Sequence, residues 1–143
     1  MRKTLFGLVA SLLIMAIIAP GFTLAEDDTY YARCNLKVLK GNQITWVNYQ
    51  STPSFIPAGT KLKVTKSSST ATLMDAATNV SYSLDAGASG DQFIEKFVTK
   101  TPVSVDKFPE NVRADIKRAV PRIGMTKEQV YVAMGPPPYF DGK

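Results

Sequence analysis

Enzymatic and metal chemistry draw on a short list of side chains, and this sequence lacks most of them. It contains no histidine, which excludes imidazole zinc sites and histidine general bases. Its single cysteine, Cys34, excludes an intramolecular disulfide and any multi-cysteine metal cage. Cys34 sits in Ala32-Arg33-Cys34-Asn35-Leu36-Lys37-Val38, where alternation puts it on the apolar face with Ala32, Leu36 and Val38. A buried thiol acting as a small hydrophobe is expected there, because no histidine is present to activate it. Asp75 and Asp85 stand alone in a stretch poor in carboxylates, so no paired-carboxylate mechanism is indicated. Gly87-Ala88-Ser89-Gly90 lacks the lysine that follows a phosphate-binding loop, and Ser67-Ser68-Ser69 reads as a turn. No catalytic residue, metal ligand or cofactor is assigned, and a non-enzymatic protein is expected.

Binding residues are better represented. Arg33, Lys37, Lys40, Lys61, Lys63 and Lys66 fall in one stretch without an acid. A solvated lysine face is the ordinary meaning of such a run. The sharper alternative is a binding site in which Trp46, Lys61, Lys63 and Lys66 hold a cell-wall polymer or anionic lipid headgroups. Tyr30, Tyr31 and Tyr49 could join Trp46 in a ligand platform, although aromatics in a small β domain more often form its core. Nucleic acid is not an expected partner. Past residue 25 the chain carries 15 basic and 12 acidic residues, a net of +3, whereas nucleic acid requires a dense basic stripe.

Several elements must position these residues. Residues 1–25 hold 17 hydrophobic residues behind Arg2 and Lys3, and end in Thr23-Leu24-Ala25 before Glu26. The apolar run Leu5 to Ala19 would make a helix of about 22 Å, too short for a hydrocarbon core of about 30 Å. A secretory signal peptide cleaved after Ala25 is therefore expected, with export to the periplasm or to an outer-membrane-associated location. Residues 26–88 read as a small β domain. Tyr31 to Leu39 and Ile44 to Tyr49 form a predicted hairpin around Lys40-Gly41-Asn42-Gln43, followed by strands over 61–65, 71–74 and 80–84. Five short strands at this spacing predict a small antiparallel barrel or sandwich. Residues 89–100 read as a connecting helix capped at Ser89 or Asp91, with Phe93, Ile94, Phe97 and Val98 as its apolar stripe. Residues 101–108 read as a linker. Residues 109–143 read as a helical segment in two parts. The first opens at Pro109, buries Val112, Ile116 and Val120, leaves Arg113, Asp115, Lys117 and Arg118 wet, and stops at Pro121. In the second, Thr126 is the N-cap and Gln129 completes a capping box, while Met125 and Val130 form a hydrophobic staple. Gly124 is expected to allow close approach of the two helices, and Gly135 to end the second in a left-handed conformation before Pro136-Pro137-Pro138.

The pattern Gly124-Met125-Thr126-x-x-Gln129-Val130, followed by Gly135-x-Pro137, resembles the signature of the BamE (SmpA/OmlA) family. The segment Ile56 to Val64 resembles the loop-to-strand part of SH3-like bacterial domains. The first resemblance covers about residues 109–140 and implies a helix pair packed on an antiparallel sheet. It also implies membership of the machinery that inserts β-barrel proteins into the outer membrane, with envelope proteins as partners. The matched positions are framework, and no binding residue is carried across. The leader junction lacks the family's lipid-bearing cysteine, so no lipid anchor is expected. The expected fold class is α+β, an SH3-like β domain followed by a helix and a BamE-like helix pair. That pair is expected to be truncated before its sheet, leaving Val112, Ile116, Val130 and Met134 uncovered.

Overall fold

A computed structural model describes residues 28–48, 51–87 and 90–137. The fold is α+β, with eight strands and three helices among the described residues. The strands are β1 (Thr29–Ala32), β2 (Leu36–Lys37), β3 (Gln43–Thr45), β4 (Phe55–Ile56), β5 (Lys61–Lys66), β6 (Thr70–Asp75), β7 (Ser81–Asp85) and β8 (Val98–Thr99). The helices are α1 (Asp91–Phe97), α2 (Glu110–Lys117) and α3 (Lys127–Met134). A six-stranded sheet runs β3-β7-β6-β5-β1-β8, and β2 pairs with β4 separately. Its centre is the antiparallel meander β5-β6-β7, as alternation predicts. Leu62, Val64, Ala71, Leu73 and Leu84 turn inward, while Lys61, Lys63, Thr65, Thr72 and Ser83 stay wet. The β6–β7 turn is held by Asp75, whose Oδ1 accepts from the Ala77 and Thr78 amides.

The inner sheet face, Cys34, Leu36 and the α1 side chains Phe93, Ile94 and Phe97 form one core. Phe108, Val112, Ile116, Val132 and Ala133 form a second, against which Ala58, Val105 and Met125 pack. Among the described residues no helix is long and apolar enough to cross a membrane.

Several local expectations change. The hairpin reduces to one bridge, Leu39 with Gln43, and β3 instead lies parallel to β7. The strand expected from Tyr31 to Leu39 breaks at residues 33–35, because its amides bond elsewhere: Arg33 N–H to the Phe97 carbonyl and Asn35 N–H to the Val132 carbonyl. The connecting helix ends at Phe97. Val98 and Thr99 extend and pair with Ala32 and Tyr31, so Val98 is buried from a strand. Its N-cap is Gly90, Asp91 is its first residue, and Ser89 lies outside the described residues. The expected linker is packed in part, with Phe108 buried in the second core.

Val120 does not complete the α2 stripe. Ala119 takes φ 53° and the Val120 and Ala119 amides turn back to the Asp115 and Ile116 carbonyls, closing the helix as a Schellman motif. Val120 is left 43% exposed. Asp115, expected to be wet, is buried. A Cβ at Gly124 would meet nothing within 4 Å, so its φ of 96° accounts for glycine there and helix approach does not.

Candidate functional site

Of the proposed binding set, the sheet brings only Lys61 and Lys63 together. They share its open face with Tyr31, which lies directly across from Lys61. Lys66 falls on the opposite side of β5, with its Nζ 5.9 Å from the centre of the Tyr30 ring. Lys100 Nζ lies 4.2 Å from the same ring. Trp46 is half-buried and meets Phe93 edge to face, with ring centroids 6.1 Å apart. Gly87 packs under its indole. Trp46 thus belongs to the core, Tyr30 and Tyr31 point to different faces, and Tyr49 lies outside the described residues.

The framework residues, by contrast, converge on one corner between α2 and α3. Thr126 Oγ1 accepts from the Gln129 amide at 3.2 Å and Gln129 Oε1 accepts from the Thr126 amide at 2.9 Å, completing the predicted capping box. Gly135 ends α3 at φ 90° and ψ −179°, a positive-φ conformation but not the left-handed helical one expected. It has a second role: a Cβ there would overlap Asn48 Nδ2.

Two buried asparagines, not anticipated as site residues, fasten this corner to the rest of the chain. Asn35 Nδ2 donates to the Ile116 carbonyl at 2.7 Å and the Ala133 carbonyl at 3.0 Å, while its Oδ1 accepts from the Ala58 amide at 2.9 Å. Asn48 Nδ2 donates to the Asn35 and Met134 carbonyls at 2.8 and 2.6 Å, and its Oδ1 accepts from the Lys37 amide at 2.8 Å. The carbonyls at the C-terminal ends of both helices thus find partners on the chain that precedes them. Val112 and Ile116 are buried, and Val130 and Met134 are half-buried.

Asp115 braces the corner from the α2 side. Its side chain is 1% exposed, and Arg122 grips it as a fork, with Nε 2.7 Å from Oδ2 and Nη2 2.7 Å from Oδ1. Arg118 adds a contact of 2.8 Å. The hydrogen bond from Arg122, opposed by burial and reinforced by Arg118, holds the carboxyl below its ordinary pKa. The i, i+3 spacing of Asp115 and Arg118 was the available signal for that contact, whereas Arg122 lies past the end of α2, where helical spacing gives none. On the inner side the Tyr131 hydroxyl donates to the Lys96 carbonyl. Burial pushes the Tyr131 phenol up to about 12, and burial does the same for the Cys34 thiol. Neither group is poised for proton transfer or nucleophilic attack near neutral pH.

Each flank of α3 carries a groove. One, of about 470 Å³, is lined by Met125, Lys127, Val130, Tyr131, Gly135 and Pro137. The other, of about 460 Å³, holds Arg33, Phe108 and the ion pair of Lys107 with Glu128. Ile123, two residues before Met125, is fully exposed. Comparison with known proteins found no matching family model, no similar curated protein and no similar solved structure.

Proposed function

We propose that this chain is an exported, non-enzymatic docking protein of the bacterial envelope, an accessory factor in outer-membrane β-barrel protein assembly that binds its partners through the α2–α3 corner. The observation that carries this reading is the way the corner is built. Two buried asparagines and the Asp115 clamp fix it, yet it presents Val120, Ile123 and an apolar groove to solvent. Rigid apolar surface loses little entropy on association, and exposed apolar patches commonly mark interaction sites. The resemblance to the BamE family points to the process and the compartment, and the matched residues serve the geometry of the corner. Unlike that family's arrangement, the helix pair here is seated on preceding chain. The β-rich half is read as an SH3-like module and residues 1–25 as a cleaved leader.

The test uses a photo-crosslinking residue at Ile123 in the full chain and a deletion strain. The expected result is a mature chain beginning at Glu26 in the periplasm, crosslinks to outer-membrane assembly proteins, and lowered outer-membrane barrel levels on deletion. Normal barrel levels together with no envelope crosslink would overturn the proposal.

A second reading is a cell-wall or anionic-lipid binding face, favoured by Lys61, Lys63 and Tyr31 sharing one open sheet face. It predicts salt-sensitive sedimentation with peptidoglycan or anionic vesicles that Lys61→Gln and Lys63→Gln abolish and Lys66→Gln leaves intact. Sedimentation indifferent to all three substitutions would remove it.

A further inference from the structure

We infer that the groove between Met125 and Pro137 binds an acidic peptide segment carrying bulky apolar anchors; this deepens the docking reading by naming the partner's chemistry. Three observations favour that occupant. First, the groove is concave and mainly apolar, with Met125, Val130 and Tyr131 as walls and about 470 Å³ of space, room for one or two large side chains. A planar lipid surface cannot reach into such a recess, whereas a Leu or Phe side chain can. Second, the charged side chain on its lining is a cation, Lys127, and the chain leading to it sets Arg118 and Arg122 against the single carboxylate of Asp115. Asp115 is engaged by Arg118 and Arg122, and Glu128 by Lys107 on the opposite flank of α3. An acid flanking the apolar anchor would therefore meet Lys127 without meeting an unpaired like charge among the lining residues. A second copy docking through the same groove would set Lys127 against Lys127. Third, the recess is pre-formed. Asp115 pins Arg122, the Met125 amide bonds to the Arg122 carbonyl at 3.2 Å, and the capping box fixes α3 one residue later. The wall that carries Met125 thus needs little ordering on binding.

The test is fluorescence anisotropy of the full mature chain with two synthetic twelve-residue peptides. Both carry Leu and Phe anchors, one flanked by Asp and Glu and the other by Lys. The acidic peptide is expected to bind, to weaken at least tenfold with Lys127→Glu, and to weaken with rising salt. Val130→Glu should also abolish binding, with circular dichroism reporting whether that variant folds. Lys61→Gln with Lys63→Gln should change nothing. Equal binding of both peptides, indifference to Lys127→Glu, or binding of phosphatidylglycerol vesicles in place of either peptide would overturn the inference. So would concentration-dependent self-association lost with Lys127→Glu, or acidic-peptide binding seen only in a chain ending at Pro137, which would assign the groove to the chain's own end. The peptide measurement is independent of compartment. Its failure alongside normal Ile123 crosslinks would remove the acidic partner and leave the docking role standing.

Discussion

Asn35→Ala tests whether the helix corner is locked to the sheet or merely rests on it. The wild-type side chain is 1% exposed and makes three hydrogen bonds, two donated to the ends of α2 and α3 and one accepted from Ala58. Truncation leaves the Ala133 carbonyl and the Ala58 amide without that partner, while the Ile116 carbonyl keeps the Ala119 amide. At about 1–3 kcal/mol for each buried group so stranded, with some relief from water entering the gap, the expected loss is about 3–4 kcal/mol. For a domain of this size that corresponds to a fall in Tm of about 10–15 °C. Urea unfolding should be followed by far-ultraviolet circular dichroism and by Trp46 emission, since Trp46 reports the sheet core against Phe93. Coincident transitions in the wild type and an earlier circular-dichroism transition in Asn35→Ala would show α2 and α3 detaching first.

Asn35→Asp adds a pH signature. The introduced carboxyl keeps the acceptor for Ala58 but turns its other oxygen toward two carbonyls. Burial and those carbonyls raise its folded pKa above the unfolded value of about 3.9. The native state then binds the extra proton, so the penalty is absent below the unfolded pKa and grows as pH rises through the folded one. Acid should therefore narrow the gap between Asn35→Asp and wild type, while the Asn35→Ala gap stays flat between about pH 4.5 and 7. An Asn35→Ala loss below about 1 kcal/mol would mean that water replaces these bonds readily, and the locking argument would be refuted.

Other expectations concern the same corner and its neighbour. Gly124→Ala should cost about 1–2 kcal/mol through its positive φ alone, whereas Gly135→Ala adds overlap with Asn48 and should cost about 2 kcal/mol more in a thermal melt. Because the Arg122 bond lowers the folded pKa of Asp115, its stabilisation is present above the unfolded value and lost as pH falls through the folded one; an acid titration of stability should show this loss in wild type and not in Asp115→Asn. Cys34, buried with its thiol pushed up to about 12, should label with a thiol reagent only at the rate of unfolding, so fast labelling of the native chain would contradict its burial.

What could be read from the chain divides by the range of the interaction. The Thr126–Gln129 box closes over three residues and the β5-β6-β7 meander follows from alternation, so both were visible in the sequence. Asn35 was not, although alternation correctly placed Cys34 and Leu36 inward. By parity Asn35 belongs to the wet side with Arg33, yet it is buried, because the carbonyls it serves lie 81 and 98 residues further on. Periodicity reports which way a side chain points from its own strand; it carries no information on what arrives later to cover that side. Gly135 shows the same divide within one residue. Its place as a helix stop is local and was foreseen, while its missing Cβ also admits Asn48, whose Nδ2 holds the Met134 carbonyl. That second role fixes where α3 lies, and the position of α3 shapes the groove with Gly135 and Pro137 on its lining. The proposed docking surface therefore depends on two buried asparagines that are not on the groove lining. Substitutions at Asn35 or Asn48 should weaken docking through the position of α3, and Lys127→Glu should weaken it with α3 in place.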